Sequence, residues 1–138
     1  MSDGIELLLA DHRRVDALFA AFAETNDATV IGEILDALSA HDQAEHAALY
    51  PLVGDVLGDA DLVERAAREH SVIKQSIEHL TALEGPALVA AVDGLHSFVA
   101  AHVQEEEQEI LPALRSAATP GQLDQLAARI EQNKQRVG

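Results

Sequence analysis

The sequence predicts an all-α protein: an antiparallel up-down-up-down four-helix bundle with a short C-terminal fifth helix. Three observations carry that prediction. Four long segments place apolar residues at helical spacing, and the breaks between them are short, which favours antiparallel neighbours. No stretch sustains the apolar/polar alternation of a half-buried strand. The composition agrees: 48% of the residues are hydrophobic but only 3% aromatic, so Ala, Leu, Val and Ile must fill the core. At 138 residues the expectation is one domain, residues 1–138, with the bundle over about 3–117 and the extra helix over about 119–137.

The first segment runs from about Asp3 to Thr25, with Ile5, Leu8, His12, Val15, Phe19 and Phe22 on one stripe, and "TNDAT" closes it. The second begins near Ala28 and turns Ile31, Ile34, Leu38, His41, Glu45 and Leu49 inward, with Pro51 available to kink or end it. In "LGDAD", Asp59 or Asp61 can cap the third segment, which extends to about Glu84 with Val63, Ala66, His70, Ile73, Ile77 and Leu80 in register. "EGPA" then offers a glycine stop and a proline for the next first turn. The fourth segment reaches about Ala117 through Leu95, Val99, His102, Glu106, Ile110 and Leu114. In the closing helix, Thr119 caps, Pro120 takes the first helical position and Gln122 completes a capping box.

Acids outnumber bases by 24 to nine, giving a formal charge of -15. Such a surface repels a phosphate backbone, so nucleic acid is not an expected partner, and an anionic membrane is disfavoured for the same reason. Cysteine is absent, which excludes disulfides, thiolate metal sites and cysteine nucleophiles. The start "MSDGIELLLADHRR" lacks a basic leader with an apolar stretch after it, and no run is expected to approach a membrane span. A cytoplasmic location is the expectation.

Polar residues interrupt the stripes in a pattern. "HDQAEHAALYP" at residues 41–51 aligns with "HVQEEEQEILP" at 102–112, and "DHRRVDALF" from Asp11 aligns more weakly with "EHSVIKQSI" from Glu69. The first two helices therefore echo the next two. Residues four apart share a helix face, so His41 with Glu45, and His102 with Glu106, each present an imidazole and a carboxylate in one direction. His12 and His70 add one imidazole from each remaining helix at comparable height. Burying six such groups unpartnered would cost several kcal/mol. A cation removes that conflict, and neutral imidazole with ionised carboxylate suits iron, manganese or zinc. Two carboxylates could bridge two metals while imidazoles fill terminal positions.

These residues resemble a known family, the haemerythrin-like (HHE cation-binding) domains. The likeness covers residues 3 to 117 and rests on His12 in "ADHRRV", His41 and Glu45 in "HDQAE", His70 in "REHSVI", and His102 with Glu106 in "HVQEE"; the endings "LYP" and "ILP" fit as well. It implies a bundle around a carboxylate-bridged, non-haem di-iron centre that meets dioxygen, nitric oxide or peroxide, with those six residues as ligands. One departure stands out. Oxygen-carrying haemerythrins have a second histidine one turn after that of the third helix, where this chain has Lys74. A protonated lysine is a poor ligand; it can offset carboxylate charge, donate a hydrogen bond near the centre or extend into solvent. Reversible oxygen carriage is therefore not the expected role.

Further candidates stand beside the six. His46 lies about 100° around the helix from Glu45 and reads as an alternative ligand or a partner of one. Tyr50 could bind as a phenolate or plug the turn before Pro51. Asp16, one turn after His12, could orient that imidazole or belong to the surface. His79 and His96 fall off the stripes.

The leading function is a small di-iron sensor, scavenger or store for oxygen species. A second reading, an oxidase or oxygenase of a small organic substrate, requires a pocket beside the centre, with the small residues near Ala66 and Ala67 as the place for it. A ferritin-like site needs ExxH motifs, and none occurs in this sequence. A metal-free helical module with pH-switching histidines is the remaining alternative.

Overall fold

The computed structural model describes residues 3–137, and among them there is no strand. Helix α1 (Gly4–Thr25) is capped by Asp3, whose side chain accepts from the Glu6 amide, and ends at Asn26 in the left-handed region. α2 (Ala28–Ala44) starts from the Asp27 cap and runs into a π-turn, Glu45–Leu49. α3 (Tyr50–Leu57) continues the same rod to the left-handed Gly58. α4 (Ala60–Leu80) is capped by Asp59. α5 (Gly85–Glu105), a second π-turn (Glu106–Ile110) and α6 (Leu111–Ala117) form the fourth rod. α7 (Pro120–Val137) closes the chain, with Thr119 and Gln122 forming the reciprocal capping box that the sequence indicates.

The four rods form the bundle, with α1 against α2 and α5, and α4 against α5 and α2. α7 packs along α1, α2 and the first π-turn. Gly4 allows that contact: a Cβ built there would lie 2.3 Å from Leu126 Cγ. Only glycine lets the two helices approach so closely.

Four sequence expectations need correction. The third helix stops at Leu80, short of Glu84, because i→i+3 bonds from Ala82 and Leu83 tighten the chain into a turn and Thr81 Oγ1 donates to the Glu78 carbonyl. Gly85, at φ +60°, opens α5 instead of stopping α4. Pro51 does not end the second rod. The π-turn before it switches the bonding register, with the Tyr50 amide donating to the Glu45 carbonyl, and the proline, which has no N–H to offer, falls where the ladder is already open. Pro112 repeats this arrangement after Leu111 donates to Glu106. Finally, one helical run is long and apolar enough to cross a membrane by length and composition alone, Gly85–Ala117, with mean hydropathy 1.3 in its most apolar stretch. Alanine and valine raise that value, while the run's inward face carries His102 and Glu106.

The hydrophobic interior is in two parts. One joins Ile5, Leu8, Leu49, Tyr50, Ile110 and Leu114 with α7's Leu126 and Ile130. The other joins Val15, Phe19, Phe22, Leu38, Leu95 and Val99. Four buried histidines and two buried glutamates lie between them along the stripes.

Candidate metal centre

The residues at this level are His12 from α1, His41 from α2, His70 from α4, His102 from α5, and Glu45 and Glu106, the first residue of each π-turn. All six are buried, and both glutamates are fully enclosed at 0% exposure. They fall into two sets that share both carboxylates: His12, His41, Glu45 and Glu106, and then Glu45, His70, His102 and Glu106. Within each set the donor atoms all lie within 4.8 Å of one another. His12 Nε2 is 3.1 Å from His41 Nε2, and His70 Nε2 is 2.9 Å from His102 Nε2. Glu45 reaches His41 at 3.2 Å and His70 at 2.9 Å. Glu106 reaches His12 at 3.2 Å and His102 at 3.4 Å.

The outward nitrogens explain why the Nε2 atoms face inward. His12 Nδ1 donates to Glu107 at 2.7 Å, His41 Nδ1 to Asp11 at 3.2 Å and His102 Nδ1 to Glu69 at 3.0 Å, while His70 Nδ1 donates to Asp42. These acids form a closed circuit around the bundle. α1 supports the histidine of α2, α2 that of α4, α4 that of α5, and the second π-turn that of α1. A proton held on Nδ1 leaves an Nε2 lone pair directed at the centre. Each supporting acid sits next to a candidate ligand in sequence, and that adjacency was the available signal for residues that stripe periodicity passes over.

Four lone pairs and two carboxylates, with the Tyr50 hydroxyl as a neighbouring donor, require positive charge. The oxygens show the same need: Glu45 Oε2 and both Glu106 oxygens are buried without a hydrogen-bond partner, despite imidazole nitrogens nearby. In the cation-free protein, protons fill this role. Burial opposes a charged imidazole at His41, yet Glu45, Asp11 and Glu106 outweigh it and hold its pKa well above the ordinary value. At His70 burial is likewise overcome, by Asp42 and Glu45, and the pKa rises to about 9. His102 is raised against burial by Glu106 and Glu69. Burial would raise the Glu45 pKa, but His41, Glu106 and His70 hold it well below the ordinary carboxylate value. The donor set thus fits a pair of cations: nitrogen and oxygen only, closed to water and oriented from behind.

The other candidates take different places. Tyr50 is buried with its hydroxyl 2.7 Å from His70 Nε2, and burial, then Glu45 and Glu106, push its pKa up, so without a cation it is a phenol. His46 is outside the six. Its side chain is half-exposed, 3.4 Å from Asp42, with its ring edge against His70. Lys74 is exposed on the rim of a groove that also contains Asp42 and His70. Asp16 orients a different histidine from the expected one: it accepts from His96 Nε2 at 2.9 Å, and the His96 ring stacks on Phe19. His79 is exposed. Ala66 is buried in the core cluster that includes Ile5 and Leu114, so it opens no pocket beside the centre.

Paired imidazole and carboxylate sites drawn from four antiparallel helices define a cation-binding helical bundle. Residues 3–114 match the model of the hemerythrin HHE cation binding domain, and the chain belongs to that family. A DNA nickase of Nostoc sp. is 30% identical over 138 residues, covering 96% of this chain and 39% of the relative. A hemerythrin-like protein of Schizosaccharomyces pombe is 21% identical over 140 residues, covering 96% of this chain and 69% of that protein. The chain therefore spans well under half of the first relative. The crystal structure of a hemerythrin HHE cation binding domain-containing protein from Mycobacterium kansasii superposes with a TM-score of 0.84 at 23% identity, over 99% of this chain and 90% of that one, and shares the fold.

Proposed function

We propose that the protein is a non-haem di-iron protein that binds or reduces oxygen species, namely dioxygen, nitric oxide or peroxide, as a sensor, scavenger or store. The observation that carries this is the pair of fully buried glutamates, each shared between two imidazole pairs, with Glu45 Oε2 and both Glu106 oxygens lacking a hydrogen-bond partner. On this reading His12, His41, Glu45, His70, His102 and Glu106 hold the metals, with Glu45 and Glu106 common to both. Iron held by these residues would supply redox chemistry and exchangeable positions for small ligands. The chain's own residues orient the imidazoles through Asp11, Asp42, Glu69 and Glu107 and keep bulk water out. Tyr50 places a phenolic O–H beside the His70 side, where it can donate to a small ligand.

Nicking of DNA is attached to a relative of which this chain covers 39%. A segment carrying -15 would be repelled by phosphates, so nicking forms no part of the proposal. The oxidase reading has one observation in its favour: a cavity of about 410 Å³ touches His12 between α1 and α5.

The test is aerobic expression in iron-replete medium, followed by metal quantification and an absorption spectrum. Two irons per chain with near-ultraviolet ferric absorption are expected. Protein that carries no metal, or only zinc after iron loading, would overturn the reading. Sustained consumption of an organic substrate would move it to the oxidase.

A further inference from the structure

The approximate twofold repeat of the chain is broken in one place behind the centre. Asp11 and Glu69 hold equivalent positions in the two halves, and they support the equivalent imidazoles His41 and His102. His12 and His70 are equivalent as well, and Glu107 supports His12. The repeat puts His46 where Glu107 stands. With an imidazole at that position, the support of His70 falls to Asp42, whose counterpart is the apolar Val103. His70 therefore has both an acid and a second imidazole behind it.

These groups form a donor set of their own. Among the described residues, Asp42, His46 and His70 are one further group of three metal-binding side chains outside the two sets of the centre, with donor atoms within 4.8 Å of one another. Asp42 Oδ1 faces both rings, 3.4 Å from His46 Nε2 and hydrogen-bonded to His70 Nδ1. Side-chain exposure falls from 46% at His46 to 32% at Asp42, 4% at His70 and 0% at Glu45. His70 Nε2 is in turn 2.9 Å from Glu45, so nitrogen and oxygen donors run from solvent to a carboxylate of the centre. The other three supporting acids end differently. Asp11 pairs with the Lys134 ammonium, and Glu69 lies beside Glu105, which Arg65 holds at 2.8 Å. Fixed positive charge opposes a cation at both. Glu107 pairs with His12 alone among the described residues and has no second donor beyond it. Lys74 also reaches the groove between α2 and α4, on an exposed stem that can turn its ammonium to solvent.

We propose that Asp42 and His46 form an outer site that captures a divalent transition-metal cation at the surface and hands it to the His70–His102 position of the centre. This rests on the reading of the centre as a metal site and names how that site fills. Imidazole and carboxylate are donors that such a cation accepts. With two protein donors at the surface, water completes the shell and the ion is held loosely enough to move on. The net charge of -15 draws cations toward the protein, whereas the centre is closed to water, so an incoming ion must exchange hydration for ligands in steps. His70 joins the two sites: its Nδ1 faces the outer pair and its Nε2 faces the centre.

Cobalt(II), which takes the same donors, is the probe for both halves of the proposal. Crystals of metal-free protein soaked in cobalt(II) should show anomalous scattering in the centre and a further peak between His46 Nε2 and the Asp42 carboxylate. Peaks in the centre with none at the outer pair overturn the capture site and leave the metal centre standing; no cobalt in the centre overturns both. In solution, visible absorption follows cobalt uptake by the metal-free protein. His46→Gln should slow uptake about tenfold while the final cobalt content stays at the wild-type value. His46→Glu has the same shape but keeps a charged donor, and it should load at close to the wild-type rate. His79→Gln, which removes an exposed imidazole near the far end of α4, should leave uptake as it is. No slowing by His46→Gln, or equal slowing by His46→Gln and either of the other two variants, sinks the delivery role.

Discussion

His12 Nε2 and His41 Nε2 lie 3.1 Å apart, and each ring's Nδ1 already donates to a carboxylate from another rod or turn. Two imidazoles so fixed present lone pairs to each other. That arrangement is stable only with a proton or a cation between them. Loading should therefore stabilise the fold as well as fill a site. His41→Ala and Glu106→Ala are expected to lose metal and to lower the unfolding free energy of the loaded protein by at least about 2 kcal/mol. Chelator titration followed by thermal unfolding checks this: wild type should melt lower after chelation, and the variants should be indifferent to it.

The circuit of outer acids predicts a milder class of variant. Glu107 is partly exposed, so Glu107→Gln should leave the metal-free fold near wild type while weakening metal affinity by roughly 10–100-fold. Competition with a chromophoric chelator measures it. An unchanged affinity would show that His12 keeps its orientation without the acid.

Stability of the metal-free protein should depend on pH in a defined sense. The folded His70 pKa, about 9, lies above its unfolded value, so its contribution is complete below roughly pH 6.5 and is lost as pH rises through 9. Glu45 works the other way: its folded pKa is depressed, so its contribution is present above its unfolded value and is lost on acidification. Melting temperature of the chelated protein should accordingly fall from neutral to alkaline pH. Metal affinity should rise over the same range, because the cation displaces imidazole protons. Scans with and without chelator would reveal the opposite slopes.

Gly4 and Leu126 give a prediction remote from the centre. Gly4→Ala must displace α7 and should cost about 1–3 kcal/mol. In a Leu126→Ala background the same change should cost far less. A double-mutant cycle by urea denaturation measures the coupling.

Much of this was legible in the sequence because a helical stripe constrains residues far apart. The inward residues of the first and fourth segments follow the 3.6-residue period, and the matched HxxxE pairs marked the shared level of the centre. Three features escaped for physical reasons. The π-turns add a residue to the ladder, which apolar periodicity does not register, although a proline six residues after each glutamate was the visible trace. Asp11, Asp42, Glu69 and Glu107 act across to other rods or turns, so apolar periodicity passes over them, and their trace in the sequence is that each adjoins a candidate ligand. His96 finds Phe19 and Asp16 on a different helix, and its distance from the stripe told only that it was not a core residue.

The division of the interior by the histidine–glutamate layer bears on how such a chain can change over generations. Side chains around Phe19 and those around Leu114 belong to separate packing units, so a volume change in one need not be compensated in the other. One end of the bundle is thus free to drift toward new guests or new neighbours while the opposite end, clasped by α7, retains its shape.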